Sequence, residues 1–194
     1  ASGALGNGNA CIVNADGTVS VVGPTGGDPA AGTPVVFNAG TTSTSPKTAV
    51  TFDSSSNKVV IAYTDGGNSL YGTAIVGTVA AGDNSITFGS EVVFESASTD
   101  NIGMTFDSNS NKVVIAYRDR GNSNYGTAIV GTVSSTSISF GSPTVFESAH
   151  TNHCACGFDS TTNKVVIAFR DAGNSNYGTA IVGTVSSTSI SFGS

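Results

Sequence analysis

The sequence of 194 residues is poor in charge and contains no tryptophan. Charged residues make up 10% of it, against about 25% in an average soluble protein. The net charge is −6 and only seven residues are basic, so the clustered Lys and Arg that nucleic-acid phosphates require are missing. No apolar run approaches the roughly 20 residues of a membrane-spanning helix. The composition therefore argues against nucleic-acid binding and membrane insertion.

Polarity comes instead from Ser, Thr, Asn and Gly, with 25 glycines. Such a neutral, hydrogen-bonding surface is typical of secreted or virion β-proteins, and we expect a virion, extracellular or cell-surface location. The sequence has no initiator Met or evident signal peptide. Its last stretch, Ser186–Ser194, matches Ser134–Ser142 but lacks the PTVFES that follows there. We therefore expect the sequence to be a piece of a longer protein.

A unit of about 52 residues occurs three times, which is typical of repeat architectures. The segments NKVVIA and YGTAIVGTV are unchanged in all three copies, and Asp65, Asp119 and Asp171 are separated by 54 and then 52 residues. We expect one domain of four parts: an N-terminal partial capping unit at 1–47, repeats at 48–100 and 101–152, and a truncated repeat at 153–194.

The capping unit is predicted from two features of the first 47 residues. Thr33–Gly40 (TPVVFNAG) matches Ser90–Ala97 (SEVVFESA) and Ser142–Ala149 (SPTVFESA), as a degenerate terminal repeat would. Upstream, ACIVNADGTVSVV predicts a β-hairpin around Asp16 and Gly17.

Each repeat contains four strand signals and no helical pattern, so the fold class is all-β. In the NKVVIAY strand, Val113, Ile115 and Tyr117 point one way while Val114 and Ala116 point the other. Both faces are apolar, so we expect this strand to be buried on both sides. Four-stranded antiparallel blades stacked around an axis provide that burial, which predicts a β-propeller. The alternative is a β-solenoid.

The number of blades follows from the period. Three repeats and a partial one give about four blades, and a longer chain gives six to eight. A ring completed by two chains is a further alternative, so a homo-oligomer is among the expected partners.

Two motifs carry a family resemblance. The loop D-x-G-N-S-x-Y-G resembles the Asp-box turn of sialidase-like propellers, without its tryptophan. Over residues 33–194 the whole unit resembles repeats in tail-fibre-like and uncharacterised surface proteins of marine phages and bacteria. This resemblance implies a structural or adhesive viral or surface protein.

The candidate binding site is the loop between the second and third strands of each repeat. Asp and Asn side chains can bind sugar hydroxyls, and Tyr can stack on a sugar ring. Alternatively, Asp and Asn only fold the loop while Tyr packs between blades. The candidate glycan-binding residues are Asp65, Asn68, Tyr71, Asp119, Asn122, Tyr125, Asp171, Asn174 and Tyr177, and each loop also carries a serine, Ser69, Ser123 or Ser175.

The turn Asp107–Asn111 looks like a calcium loop but has a single carboxylate, where Ca²⁺ generally takes more than one. We therefore interpret it as a hydrogen-bonded turn. No metal or other cofactor is predicted.

The only dense group of metal-ligand types is His150, His153, Cys154 and Cys156. Alignment of the repeats places both cysteines in the first strand as small inward-facing apolar residues, with the histidines in a preceding surface loop. Three interpretations remain open: buried thiols first, then a disulfide from Cys11 to Cys154 or Cys156, and last a Zn²⁺ site.

Catalysis is not expected. The only glutamates are Glu91, Glu95 and Glu147, and near-identical repeats do not form an asymmetric acid and nucleophile pair of the kind a glycosidase needs. We therefore expect a non-catalytic module that binds cell-surface glycans. The alternatives are a purely structural virion, filament or decoration subunit that contacts other structural proteins, and a degenerate sialidase-like glycosidase.

Overall fold

The structure is a computed structural model that describes residues 10–22, 32–40, 48–81 and 84–193. In the strands of 10–22 it describes the backbone alone. The chain divides into two compact units, one comprising Ala1–Thr33 with Ala80–Ser85 and the other comprising Pro34–Val79 with Ile86–Ser194. The predicted capping unit at 1–47 thus lies partly outside the described residues.

The smaller unit contains the predicted hairpin. Strands β1 (Ala10–Val13) and β2 (Val19–Val22) pair antiparallel. Asp16 accepts hydrogen bonds from the backbone N–H and the hydroxyl of Thr18. Gly17 follows with a φ of 78°, a conformation that glycine adopts without steric cost. The hairpin prediction is confirmed.

The larger unit is built from antiparallel strands that follow one another along the chain. They are β3 (Thr48–Asp53), β4 (Lys58–Asp65), β5 (Tyr71–Val79), β6 (Ile86–Phe88), β7 (Val92–Asp107), β8 (Lys112–Asp119), β9 (Tyr125–Ser134), β10 (Ser137–Phe140), β11 (Thr144–Asp159), β12 (Lys164–Asp171), β13 (Tyr177–Ser186) and β14 (Ser189–Phe192). They form one open sheet of twelve strands whose ends, β3 and β14, are not paired with each other in the described part of the chain. The prediction of an all-β fold is confirmed.

Two strands of 16 residues, β7 and β11, each join one repeat to the next. The first part of β11 pairs with β9, and its second part pairs with β12. Register irregularities lie between these parts, and His153 there has a φ of 55°. The sequence interpretation placed a loop between the fourth strand and the next repeat. That interpretation is wrong, because the chain passes from one repeat to the next within a single bent strand.

The bent strands fold the sheet into three layers, one for each repeat. We call them the first layer (β3–β6), the second layer (the end of β7 with β8–β10) and the third layer (the end of β11 with β12–β14). One apolar cluster joins Val60 and Val76 of the first layer to Ile115 and Ile129 of the second. Another cluster joins the second layer to the third.

Strand β8 contributes alternate side chains to the two clusters. Val113, Ile115 and Tyr117 belong to the first cluster, whereas Val114 and Ala116 belong to the second. All five are fully buried. The prediction that this strand is buried on both faces is confirmed, and the second layer is the centre of the stack.

Two glycines of β9 allow side chains of other strands to pack directly on its backbone. A Cβ on Gly126 would lie 2.5 Å from the ring of Phe146, and one on Gly131 would lie 2.7 Å from Cδ1 of Ile138. Both distances are shorter than any normal contact, so these positions need glycine. The ring of Phe146 also packs on Phe169 of the third layer, with ring centroids 5.1 Å apart.

The segment 32–40 makes one aromatic contact that has a counterpart in the second repeat. Phe37 packs on Tyr63 with ring centroids 5.1 Å apart, just as Phe94 packs on Tyr117 at 5.2 Å. The three layers do not close into a ring among the described residues. The described strands thus form one open antiparallel sheet and not a closed ring. No helix in the part of the chain that the structure describes is long and apolar enough to cross a membrane.

Candidate functional site at the loop edge

The three candidate loops lie at one edge of the layer stack, which we call the loop edge. They are residues 65–71, 119–125 and 171–177. Backbone hydrogen bonds link the loops through the long strands. The N–H of Thr99 in β7 donates to the carbonyl of Leu70 in the first loop, and the N–H of Arg120 in the second loop donates to the carbonyl of Ser98 in β7. The same pattern recurs between the second and third loops, where Thr151 donates to Asn124 and Ala172 donates to His150. The prediction that the loops share one face therefore agrees with the structure.

The first residue of each loop is a buried aspartate that holds the loop together. Asp119 Oδ1 accepts hydrogen bonds from the backbone N–H groups of Gly121 at 2.8 Å and Asn122 at 3.1 Å. Asp171 makes the equivalent pair of bonds, and Asp65 accepts from Gly67 at 2.9 Å. These carboxylates therefore have the loop-folding role that was the alternative to ligand binding.

The asparagines and tyrosines of the loops are placed differently from the aspartates. Asn68, Asn122 and Asn174 are exposed in all three copies. Tyr71 and Tyr125 are half-buried, whereas Tyr177 in the third layer is 62% exposed.

The chain returns to the next strand through a tight turn. In the second loop Tyr125 donates its N–H to the carbonyl of Asn122, and Ser123 and Asn124 between them both have positive φ. Asparagine tolerates this left-handed backbone better than most residues. The turn leaves Asn122 at the tip of the loop.

A polar groove lies beside the first loop, and we call it the Asn68 groove. It has a volume of about 350 Å³ and is lined by Asn38, Asp65, Asn68 and Glu91 together with Ala39, Gly40 and Gly67. Glycine at 40 and 67 brings the backbones together, since a Cβ on Gly67 would lie 3.1 Å from Cα of Gly40. The sequence predicted Asp65 and Asn68 as site residues but not Asn38 and Glu91.

Glu91 is positioned by a buried tyrosine. Tyr63 donates its hydroxyl to Glu91 Oε1 at 2.6 Å. Burial, with Glu91 close by, raises the pKa of Tyr63 well above its ordinary value, so the tyrosine stays a neutral donor. The Asn68 groove thus presents fixed carboxylate and amide groups and no cationic side chain among those that line it.

The second repeat has a related arrangement around Glu95. Tyr117 donates to Glu95 Oε2 at 3.2 Å, and Ala97 N–H donates to Oε1 at 3.1 Å. Burial and the nearby negative charge of Asp119 raise the pKa of Glu95. The two carboxyl groups are electrostatically coupled, and protonation of Glu95 relieves the repulsion.

An ionic network at Asp100 was missed by the sequence interpretation. Asp100 is buried and accepts bonds from Nε and Nη2 of Arg118, the former at 2.5 Å, and from Nε and Nη2 of Arg120 at 2.9 and 2.6 Å. Burial opposes the charge on Asp100, but the two guanidinium groups outweigh it and lower its pKa. Such bidentate pairs fix the geometry of both partners.

Arg118 also connects the network to the following repeat. Its Nη1 lies 2.5 Å from Nε2 of His150 and donates to Asn152 Oδ1 at 2.6 Å. The sequence does carry a signal of this network, because the repeats differ at its residues. Asp100 is replaced by Asn152 in the next repeat, and Arg120 is replaced by Ala172. Positions where one repeat differs from the others therefore identify this network, whereas no sequence motif does.

The His and Cys cluster is placed only partly as expected. Cys154 and Cys156 are half-buried and pack against the cluster between the second and third layers. Burial raises the pKa of Cys156 to about 12. His150 and His153 were expected in a surface loop, but both lie within β11. That expectation is wrong, because the long strand replaces the loop.

The disulfide hypothesis depends on Cys11, whose side chain lies outside the described residues, so it stays a prediction. For metals, no group of three or more His, Cys, Asp or Glu side chains that could hold an ion occurs among the residues the structure describes.

The turn that resembles a calcium loop is closed by its own hydrogen bonds. Asp107 Oδ1 accepts from the N–H groups of Asn109 and Ser110, and Oδ2 accepts from the Ser110 hydroxyl at 2.7 Å. The interpretation as a hydrogen-bonded turn is confirmed.

Comparisons with known proteins found no matching protein-family model, no matching curated protein and no matching solved structure.

Proposed function

We propose that this chain is a non-catalytic surface module of the tail-fibre or adhesin kind that binds cell-surface glycans at its loop edge. The observation that carries the proposal is the Asn68 groove, where Asn38, Asp65, Asn68 and Glu91 surround a space of about 350 Å³. This volume suits a small ligand. Its amide and carboxylate groups can hydrogen-bond the hydroxyl groups of a sugar.

Repetition strengthens the proposal. Asn122 and Asn174 occupy the equivalent exposed position in the second and third loops, on the same edge as Asn68. Several weak sites on one rigid edge bind a repetitive glycan surface more strongly than one site does. The exposed ring of Tyr177 adds an apolar platform on which a sugar ring can stack.

We also propose that the three layers are blades of a β-propeller that further blades complete. Sequential antiparallel pairing within each layer and apolar packing between layers support this. Under this proposal the resemblance to tail-fibre-like repeats of marine phages and bacteria points to a virion or cell-surface location.

The test is binding to a glycan array by the intact chain and by Asn68→Ala, Tyr125→Ala and Tyr177→Ala variants. We expect one class of glycan to bind, with weaker binding by each variant. Asn109→Ala is the matched control, because Asn109 is an exposed asparagine in the turn at the opposite end of β8. Absence of binding to any glycan, or equal loss in the control, contradicts the proposal.

A second candidate function is a purely structural virion, filament or decoration subunit. It is favoured by exposed apolar side chains at both ends of the layer stack, such as Val50 and Val182. Solvent-facing apolar surface of this kind commonly marks contact with another protein. An ordered assembly that buries the loop tyrosines between subunits would favour this candidate over glycan binding.

The degenerate glycosidase is the third candidate, favoured by the raised pKa of Glu95 beside Asp119. Hydrolysis of a glycoside that Glu95→Gln abolishes would establish it. We favour the non-catalytic role because Glu95 is already occupied as an acceptor for Tyr117 and for the backbone of Ala97.

A further inference from the structure

The lining of the Asn68 groove differs from the equivalent parts of the other two repeats. Gly40 stands where the second and third repeats have Ala97 and Ala149. In the second repeat the alanine methyl packs on the loop glycine, so that a Cβ on Gly121 would lie 2.4 Å from Cβ of Ala97. The first repeat has no methyl at this position, which leaves room for the groove beside its loop.

The first repeat also takes its groove carboxylate from a different position in the sequence. Asn38 replaces Glu95 of the second repeat, and Glu91 replaces Pro143. Tyr63 donates its hydroxyl to Oε1 of Glu91 at 2.6 Å. Glu91 is exposed, and its Oε2 has no hydrogen-bond partner among the described residues. The tyrosine therefore orients one carboxylate oxygen, while the other remains available to a ligand.

The negative charge of the groove is not compensated by a basic side chain that the structure describes. The second repeat has Arg118 and Arg120 where the first has Thr64 and Gly66. The ion pairs among the described residues are those of the two arginines, and neither groove carboxylate takes part in them. A concave site lined by charge of one sign attracts ligands of the opposite sign.

Asn38 adds a buried donor to the groove that it lines. Its Oδ1 accepts from the N–H of Gly40. Its Nδ2 is buried and meets no acceptor in hydrogen-bond geometry among the described residues. A buried donor of this kind lowers stability until an acceptor reaches it. A hydroxyl oxygen of a sugar bound in the groove can serve as that acceptor.

These features together specify a ligand that combines a positive charge with hydroxyl groups. An ammonium group pairs with a carboxylate through charge-assisted hydrogen bonds, which are about twice as strong as neutral ones. An acidic sugar is repelled by the same carboxylates, since unlike charges across an interface favour binding and like charges oppose it. A neutral sugar bonds the amides but leaves the negative charge uncompensated.

We propose that the Asn68 groove binds an amino sugar whose amine is free and protonated. The ammonium group pairs with Glu91, and the sugar hydroxyls bond the amides of Asn38 and Asn68. This inference rests on the proposed glycan-binding function and names the class of sugar that one of its sites takes. It predicts that unacetylated amino sugars bind most tightly, neutral sugars less tightly and acidic sugars least.

The experiment is isothermal titration calorimetry on the intact chain, at low ionic strength and at a mildly acidic pH where the amines are protonated. The probes are trimers of glucosamine, of N-acetylglucosamine and of galacturonic acid. We expect the glucosamine trimer to bind about tenfold more tightly than the acetylated trimer, and the acidic trimer not to bind. High salt should reduce the preference, because it screens charge. Trilysine, which has the charge without the hydroxyls, should bind much more weakly than the glucosamine trimer.

Three variants assign the preference to the groove. Glu91→Gln keeps an acceptor for Tyr63 but removes the charge, so the two neutral and amino trimers should then bind about equally. Glu147→Gln is the matched control, because it makes the same change of charge at a residue that does not line this groove, and it should keep the preference. Gly40→Ala introduces the methyl that the other repeats carry and should weaken both trimers. Circular dichroism confirms that each variant folds.

The possible failures of this inference and of the proposed function are distinguishable. Equal binding of the glucosamine and acetylated trimers, or tighter binding of the acidic trimer, overturns the inference but leaves glycan binding in place. Absence of binding to these trimers and to every glycan of the array contradicts both. A preference that persists in Glu91→Gln, or that Glu147→Gln removes equally, also overturns the inference, as does trilysine that binds as tightly as the glucosamine trimer.

Discussion

Phe146 lies directly over Gly126, so close that a single added Cβ would come within 2.5 Å of its ring. The pair joins the second layer to the third, because the same ring packs on Phe169 and Phe192. The aromatic ring occupies the space that the missing side chain leaves.

The first prediction follows from this contact. Gly126→Ala should destabilise the fold by about 1 to 3 kcal/mol, the usual cost of forcing extra volume into a packed site. The midpoint of urea unfolding measures the effect. Gly157→Ala is the control, because a Cβ on Gly157 meets nothing within 4 Å, and it should change stability little. Equal effects of the two substitutions would contradict the role of the ring.

The sequence predicted the strands well because strands depend on local, repeated signals. The alternation of apolar residues in KVVIAY identifies a strand buried on both faces, and the Asp–Gly pair at 16–17 identifies the hairpin. The prediction from the sequence failed where one repeat joins the next, because His150 and His153 lie in a bent strand and not in a loop. Bending there depends on irregular pairing with two different neighbours, β9 and β12, which no local pattern encodes.

The sequence predicted which loop residues lie near one another, but not the hydrogen bonds that each of them makes. The loop residues do share one edge, but Asp65, Asp119 and Asp171 are used internally to close their loops. Glu91, which also lines the groove, was not predicted, because the pairing of β7 with β5 brings it there and not the loop motif. Asp100 was missed for the same reason, since its partners follow it by 18 and 20 residues.

The second prediction concerns the Asp100 network. Asp100→Asn leaves the buried Arg118 without its charge partner, which typically costs about 3 to 5 kcal/mol. Arg120 is half-exposed, so Arg120→Ala should cost only about 0 to 1 kcal/mol. Urea unfolding at neutral pH measures both. A similar cost for the two substitutions would show that Arg118 is not specially dependent on Asp100.

Acid should weaken the same network. The pKa of Asp100 is lower in the folded chain than its ordinary value of 3.8, so its contribution is present above that value. The contribution is lost as the pH falls from about 3.8 through the lowered folded pKa. Asp100→Asn removes the titrating group, so the difference in stability between this variant and the original chain should shrink over that acidic range.

The third prediction is that Cys156 resists alkylation in the folded chain. Burial raises its pKa to about 12, so almost no reactive thiolate is present at pH 8. Mass spectrometry after brief iodoacetamide treatment should show Cys156 unmodified until urea unfolds the protein, and Cys156→Ala assigns the site. Rapid modification of Cys156 without denaturant would contradict its burial.

The disulfide hypothesis is tested in the same samples. A bond from Cys11 to Cys154 or Cys156 predicts a cross-linked peptide under non-reducing conditions. Alkylation of all three thiols in the native protein would exclude it.

The last prediction is that Glu95→Gln stabilises the protein at neutral pH. Burial and the charge of Asp119 raise the pKa of Glu95 above its ordinary 4.5 in the folded chain, so the folded state holds the proton more tightly than the unfolded state does. Stability from this group is therefore greatest below pH 4.5 and declines as the pH rises through the folded pKa.

Glutamine keeps an oxygen that can accept from Tyr117 but carries no charge, so the gain should be present at pH 7 and vanish below pH 4.5. Unfolding curves at pH 4 and pH 7 measure it. Glu147→Gln serves as the control, since Glu147 is the repeat equivalent of Glu95 and the tyrosine is replaced there by Phe169. A loss of stability in Glu95→Gln at pH 7 would contradict this prediction. It would show that the hydrogen bonds the carboxylate accepts stabilise the fold by more than its repulsion from Asp119 destabilises it.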